Sequence, residues 1–97
     1  VIAVATQHDL YKKTMSNIKE VKSRGATVIM VCSEDMKFDE ADNDSPVDYP
    51  VMLPLARDLL MPLVAVVPLQ LIAYYTAALK NFDVDHPRNL AKSVTVE

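Results

Sequence analysis

Val1-Ile2-Ala3-Val4-Ala5-Thr6 is a continuous, β-branched apolar run. Such a run predicts a strand covered on both faces, as in parallel sheets. The period then changes. Tyr11, Met15, Ile18 and Val21 recur at steps of three and four, while Lys12, Lys13, Lys19, Lys22 and Arg24 fall mostly off that stripe. This predicts an amphipathic helix with Asp9 at its N-cap and basic residues near its C-terminal end, where the helix dipole favours them. Gly25, the only glycine, stands where a left-handed residue closes a helix. Ala26 to Cys32 predicts a second buried strand, and strand–helix–strand is a right-handed βαβ unit with a parallel pair. Val47 to Leu53 alternates loosely around Tyr49 and Val51, between Pro46 and Pro54, and predicts a short third strand.

From Leu59 to Leu79 no residue is charged. About 20 apolar residues suffice to span a bilayer, so a membrane helix has to be weighed. Pro62, Pro68, Gln70 and the lack of a Lys/Arg asymmetry around the segment speak against it. The alternative is a helix lying on the sheet with its other side against a further domain or subunit. Pro68 predicts a kink or a restart. Asn81 or Asp83 marks the end of the helix, and Pro87 keeps the following chain extended.

Ninety-seven residues make one small domain. The net charge of −3 gives a nucleic-acid role no electrostatic support. Most of the negative charge lies between Ser33 and Asp48, where seven carboxylates face Lys37 alone. Asp42-Asn43-Asp44 offers oxygen ligands but lacks the glycine and distal glutamate of a calcium loop, so the stretch reads as a solvated loop. A single cysteine, Cys32, rules out an internal disulfide framework and fits a reducing cytoplasm. No basic region precedes the first apolar run, so no signal peptide is expected, and the absence of an initiator Met suggests a processed product or an excised piece. His8, past the first strand, has no nearby cysteine or paired carboxylates to make a ligand cluster and reads as a surface residue, with no metal site expected. Cys32 reads as inert core, and Tyr74 and Tyr75 as packing residues. There is no glycine-rich phosphate loop, serine nucleophile elbow or HExxH motif.

Lys92 is the one amine with a chemical reading. An amine attacks a carbonyl only when neutral, and burial lowers a lysine pKa toward that state. Leu90, Val94 and Val96 give the last twelve residues apolar surface with which to dock, and Ala91 and Ser93 are small enough to let the backbone approach a ligand. A solvated terminal lysine is the competing reading.

Asp83-Val84-Asp85-His86-Pro87-Arg88-Asn89-Leu90-Ala91-Lys92-Ser93-Val94-Thr95-Val96-Glu97 closely resembles the C-terminus of the glutamine–fructose-6-phosphate aminotransferase (isomerizing) family, the glucosamine-6-phosphate synthases. Val67-Pro68-Leu69-Gln70-Leu71-Ile72-Ala73-Tyr74-Tyr75 resembles the helix before it. The resemblance implies an α/β fold: the C-terminal half of a three-layer, flavodoxin-like sugar isomerase (SIS) domain at residues 1–85, with flanking helices on a parallel sheet, and an active-site tail at residues 86–97. It further implies conversion of fructose 6-phosphate and glutamine-derived ammonia to glucosamine 6-phosphate, with no cofactor. The tail would close over the sugar, Lys92 would form a Schiff base with the open-chain ketose, and Leu90 and Ala91 would line the sugar site, Ala91 through its backbone. The expected partners are the sugar phosphates, the synthase and glutaminase regions absent from this chain, and a second copy in a homodimer; neither nucleic acid nor membrane is expected. The family's nucleophilic cysteine, phosphate loop, carboxylate base and ring-opening histidine would all lie upstream of Val1. His8 does not match that histidine's motif, and His86 stands where the family often has Gln, so neither is given a role. A non-catalytic SIS-type module that binds a phosphosugar is the alternative.

Overall fold

The computed structural model describes residues 1–36 and 45–86. Three strands, β1 (Ile2–Ala5), β2 (Ile29–Ser33) and β3 (Tyr49–Leu53), form one sheet in the order β1-β2-β3, with both pairs parallel. Two helices complete the chain, α1 (His8–Ser23) between β1 and β2 and α2 (Met61–Leu79) after β3. This is the α/β arrangement of parallel strands and flanking helices that the apolar runs predict.

The register sorts the side chains onto two faces. Ala3 and Ala5 stand level with Met30 and Cys32, and these residues pack with Ile18, Tyr11, Met15 and Val21 of α1. Val31 lies on the opposite face and packs with Leu53, Met61 and Ala65. β2 is therefore covered on both sides, and Met30, Val31 and Cys32 are fully buried. β1 departs from its expectation. The first strand reads as buried on both faces, yet Ile2 and Val4 are 45% and 44% exposed, because α2 reaches β3 and β2 but nothing described covers β1 on that side.

Backbone pairing explains a proline within a strand. Tyr49 N–H donates to the Val28 carbonyl, and the Leu53 carbonyl accepts from Glu34 N–H. Alternation then turns the backbone groups of Pro50 and Met52 to the outer edge, where the missing proline N–H breaks no ladder bond. Asp48 fastens the entry to β3. Its Oδ2 accepts from Val28 N–H at 2.7 Å, its own N–H donates to the Val28 carbonyl at 3.0 Å, and Lys22 Nζ donates to Oδ1 at 2.5 Å. The Lys22 ammonium and the Val28 N–H together hold the Asp48 carboxyl below its ordinary range.

The helix ends follow one rule. Gly25 has φ +83°, its N–H donates to the Lys22 carbonyl, and Ala26 N–H donates to the Val21 carbonyl. This is the paired closure in which a left-handed residue satisfies the last carbonyls of a helix. α2 ends the same way without glycine: Asn81 has φ 55°, its N–H donates to the Ala78 carbonyl, and Phe82 N–H donates to the Ala77 carbonyl. At the other end of α1 the N-cap is Gln7, with no side-chain cap bond, and Asp9 sits in the first turn. The carboxylate expected as the cap thus acts instead on the positive end of the helix dipole.

α2 runs through Pro68 without a restart. Only Met61 and Ala65 of the helix are buried, while Leu63, Val67, Leu71, Tyr75 and Leu79 are largely exposed. Tyr74 and Tyr75 meet edge to face at 5.4 Å, but both remain at least half exposed rather than packed in a core. The helix is long and apolar enough to cross a membrane by length and composition, with a mean hydropathy of 1.6.

Candidate functional site

Parallel strands place their carboxyl-end loops side by side, and in open α/β sheets ligands bind there. Ala5 leads through Thr6 and Gln7 into α1, and Ser33 leads into Glu34 and Asp35. His8, the first residue of α1, therefore meets the loop after β2, and its Nε2 lies 2.8 Å from Asp35 Oδ2. Ser33, 2% exposed, is the largest influence holding the Asp35 carboxyl below its ordinary range, and His8 adds to it. By strict geometry Ser33 Oγ makes no hydrogen bond, so its share is the attraction of a nearby hydroxyl dipole. Glu34 ties this loop to the next: its Oε1 accepts from Leu55 N–H at 3.1 Å. Beside the His8 end a hollow of about 140 Å³ is bounded by Val4, Ala5, Thr6, Gln7, Leu10 and Thr14.

The sequence reading treats His8 as an isolated surface residue; the fold brings it an acidic partner from twenty-seven positions away. The signal for the pair lay in topology rather than spacing, since adjacent parallel strands end at the same level. A histidine and a carboxylate without a nucleophile orient or buffer a charge but carry out no covalent step. Cys32 cannot supply the nucleophile: it is fully buried, with Sγ 3.4 Å from Met52 Sδ. Among the described residues no group of three or more His, Cys, Asp or Glu is placed to hold a metal ion.

Two further features lie around α2. An open apolar groove of about 520 Å³ runs between β3 and α2, lined by Val51, Leu53, Pro54, Leu63, Val67 and Leu71. Beyond the Asn81 closure, Asp83 binds the chain that follows. Its Oδ1 accepts from the N–H groups of Asp85 at 2.9 Å and His86 at 3.1 Å, and its Oδ2 lies 3.0 Å from His86 Nδ1. The sequence-derived site residues Leu90, Ala91 and Lys92 lie outside the described residues.

No family model matches the chain. Curated relatives do, across its whole length. It is 50% identical over 97 residues to a glutamine–fructose-6-phosphate aminotransferase (isomerizing) of Clostridium acetobutylicum, 49% over 98 residues to that of Thermus thermophilus, and 48% over 97 residues to that of Methanosarcina acetivorans. In each case the alignment covers 100% of this chain and 15% of the relative, at the relative's C-terminal end. The chain thus spans about one seventh of the length of the curated relatives it matches.

Proposed function

From its place in the glutamine–fructose-6-phosphate aminotransferase (isomerizing) family, to which this chain belongs, we propose that it forms part of the site that makes glucosamine 6-phosphate from fructose 6-phosphate and ammonia released from glutamine. The observation that carries the proposal is the extent of the match: the alignment covers the whole chain, and half of the aligned positions are identical. The three-stranded parallel sheet and its helices fit the C-terminal half of an SIS domain over residues 1–85, followed by a tail at residues 86–97.

In this reading Lys92 is the reacting group. Its neutral amine attacks C2 of the open-chain ketose, and water leaves as the iminium forms. Ammonia adds to C2 of the iminium, and the Lys92 amine leaves as the new C2 imine forms. That imine acidifies the C1 protons, so a base outside this chain can move a proton from C1 to C2, which leaves the amino group on C2 and an aldehyde at C1. Leu90 and Ala91 line the sugar, Ala91 through its backbone.

The exposed surface of α2 belongs to the same reading. Pro68 has no N–H, so the Val64 carbonyl loses its helix partner. In hydrocarbon such a group costs several kcal/mol, roughly, unless a neighbour satisfies it. Against protein, the rest of the enzyme or a second copy in a homodimer covers the apolar face and can bring a donor to that carbonyl. The enzyme then works in the cytoplasm, away from lipid.

The test is covalent trapping. The chain alone and the chain joined to the remaining synthase polypeptide are incubated with fructose 6-phosphate and borohydride, and the sugar adduct is mapped by mass spectrometry. An adduct on Lys92 in the joined protein is the expected result. Sugar binding without any adduct would overturn the Schiff-base role and favour a non-catalytic phosphosugar-binding module.

A further inference from the structure

One side of α2 is settled: Met61, Ala65 and Leu69 pack with Val31 and Leu53 of the sheet. The opposite side has a pattern of its own. Leu63, Val66, Gln70, Ala73 and Ala77 recur at steps of three and four, the spacing of a seam between two helices. Gln70 stands about 140° round the helix from Ala65, so the seam points away from the sheet. Leu63, Val66, Gln70 and Ala73 are exposed.

The seam itself selects its occupant. Gln70 lies at the midpoint of α2, with nine helical residues on either side. An antiparallel copy of the same helix, related by a two-fold axis through that midpoint, matches it end to end, and the residue on the axis meets itself. An amide both donates and accepts, so two such side chains bond each other, and Gln70 makes no side-chain hydrogen bond among the described residues. The same axis sets large against small: Leu63 faces Ala77 of the other copy, and Val67 faces Ala73. No residue from Leu59 to Leu79 is charged, so pairing like with like opposes no equal charges. Half the accessible surface of such a helix, about 28 Å long and about 10 Å across, is on the order of 600 Å², so two copies bury on the order of 1,200 Å², enough for a specific interface.

We propose that the outer face of α2 is the surface on which two copies of this chain meet, antiparallel, with Gln70 on the two-fold axis. The inference deepens the homodimer of the proposed function and takes nothing from the role of Lys92. One polar pair in an apolar seam costs stability but fixes the register, because any slip leaves a buried amide without its partner.

Charge placed on the axis tests the proposal. The chain is expected to sediment as a dimer. Gln70→Glu and Gln70→Lys each oppose like charges and raise the dissociation constant roughly tenfold or more, with an unchanged circular dichroism spectrum because the residue is exposed in the protomer. Mixing the two variants in equal amounts restores the dimer. A monomeric wild-type chain, variants that pair as tightly as the wild type, or a mixture no tighter than its components overturns the proposal. A second arm uses the complete enzyme polypeptide. Gln70→Cys, treated with a bismaleimide that reaches about 8–10 Å, the separation of packed helix axes, is expected to give chains joined at position 70 to position 70 by mass spectrometry. Leu63→Cys does not join to itself, since the two copies of that position stand about 21 Å apart along the pair. Unlinked Gln70→Cys chains overturn the proposal, because the rest of the polypeptide then covers this face. Self-joining of Leu63→Cys as fast as Gln70→Cys overturns it too, because the helices then meet in another register. Borohydride trapping at Lys92 is read separately in the same enzyme, so a failure of the Schiff-base role is distinct from a failure of the interface.

Discussion

Gly25 isolates one physical quantity, the cost of a left-handed backbone for a residue with a side chain. Its φ of +83° is required by the closure of α1, because only that turn carries Gly25 N–H to the Lys22 carbonyl and Ala26 N–H to the Val21 carbonyl. A Cβ built at this position meets nothing within 4 Å. Gly25→Ala therefore makes no clash, and its effect is conformational. The left-handed region costs an alanine about 1–2 kcal/mol. The alanine also restricts the unfolded chain, which returns about 0.4–1 kcal/mol. The net loss is about 1 kcal/mol, or a fall in melting temperature of about 4–8 °C for a chain of this size. Gly25→Asn should lie between glycine and alanine, because Asn81 holds φ 55° in the same closure at the end of α2. Urea unfolding of the three proteins, followed by far-ultraviolet circular dichroism, measures this ranking, and an unchanged m-value shows that the midpoint shifts are changes in stability. Alanine as stable as glycine, or asparagine worse than alanine, would refute the reasoning.

Two other outcomes follow from burial and charge. Met30→Ala removes a fully buried side chain from the central strand and should cost about 2–5 kcal/mol, whereas Leu59→Ala, at a residue 88% exposed, should stay within about 0.5 kcal/mol; both are read from denaturant midpoints. Asp48 has its carboxyl pKa lowered in the folded chain, so its stabilising effect is fully present above the unfolded value, near 3.8, and is lost as pH falls through the lower folded value. Acid unfolding of Asp48→Asn should accordingly be less steep below about pH 4 than that of the wild type, and identical slopes would show that the Lys22 and Val28 contacts do not persist in solution.

Much of the fold is legible because two periods dominate the chain. The steps of three and four from Tyr11 to Val21 place α1 and its buried face, and Gly25 marks its end by a stereochemical requirement that no other residue meets as cheaply. Boundaries are less legible. Ala26, Thr27 and Val28 look like strand but precede β2, because the chain there still satisfies the end of α1 through Ala26 and meets Asp48 through Val28. The N-cap shifts from Asp9 to Gln7 for a related reason: His8 joins the helix and pairs with Asp35, so the helix starts before the residue best suited to cap it. β1 shows the limit of the argument. Its sequence describes a strand covered on both faces, and the described chain supplies a cover for only one.

The candidate site divides along the same line. His8 and Asp35 are unremarkable in sequence, since twenty-seven positions separate them; only the parallel pairing of β1 with β2 makes neighbours of the loops that carry them. Lys92 is the reverse case. Chemistry alone gives an amine among small and apolar residues, and only the proposed function gives it a role, while Lys92 itself lies outside the described residues. Between the two stands Asp83, whose bonds to Asp85 and His86 were not foreseen from the sequence. There the described chain leaves α2 through a turn made from one carboxylate rather than from a core.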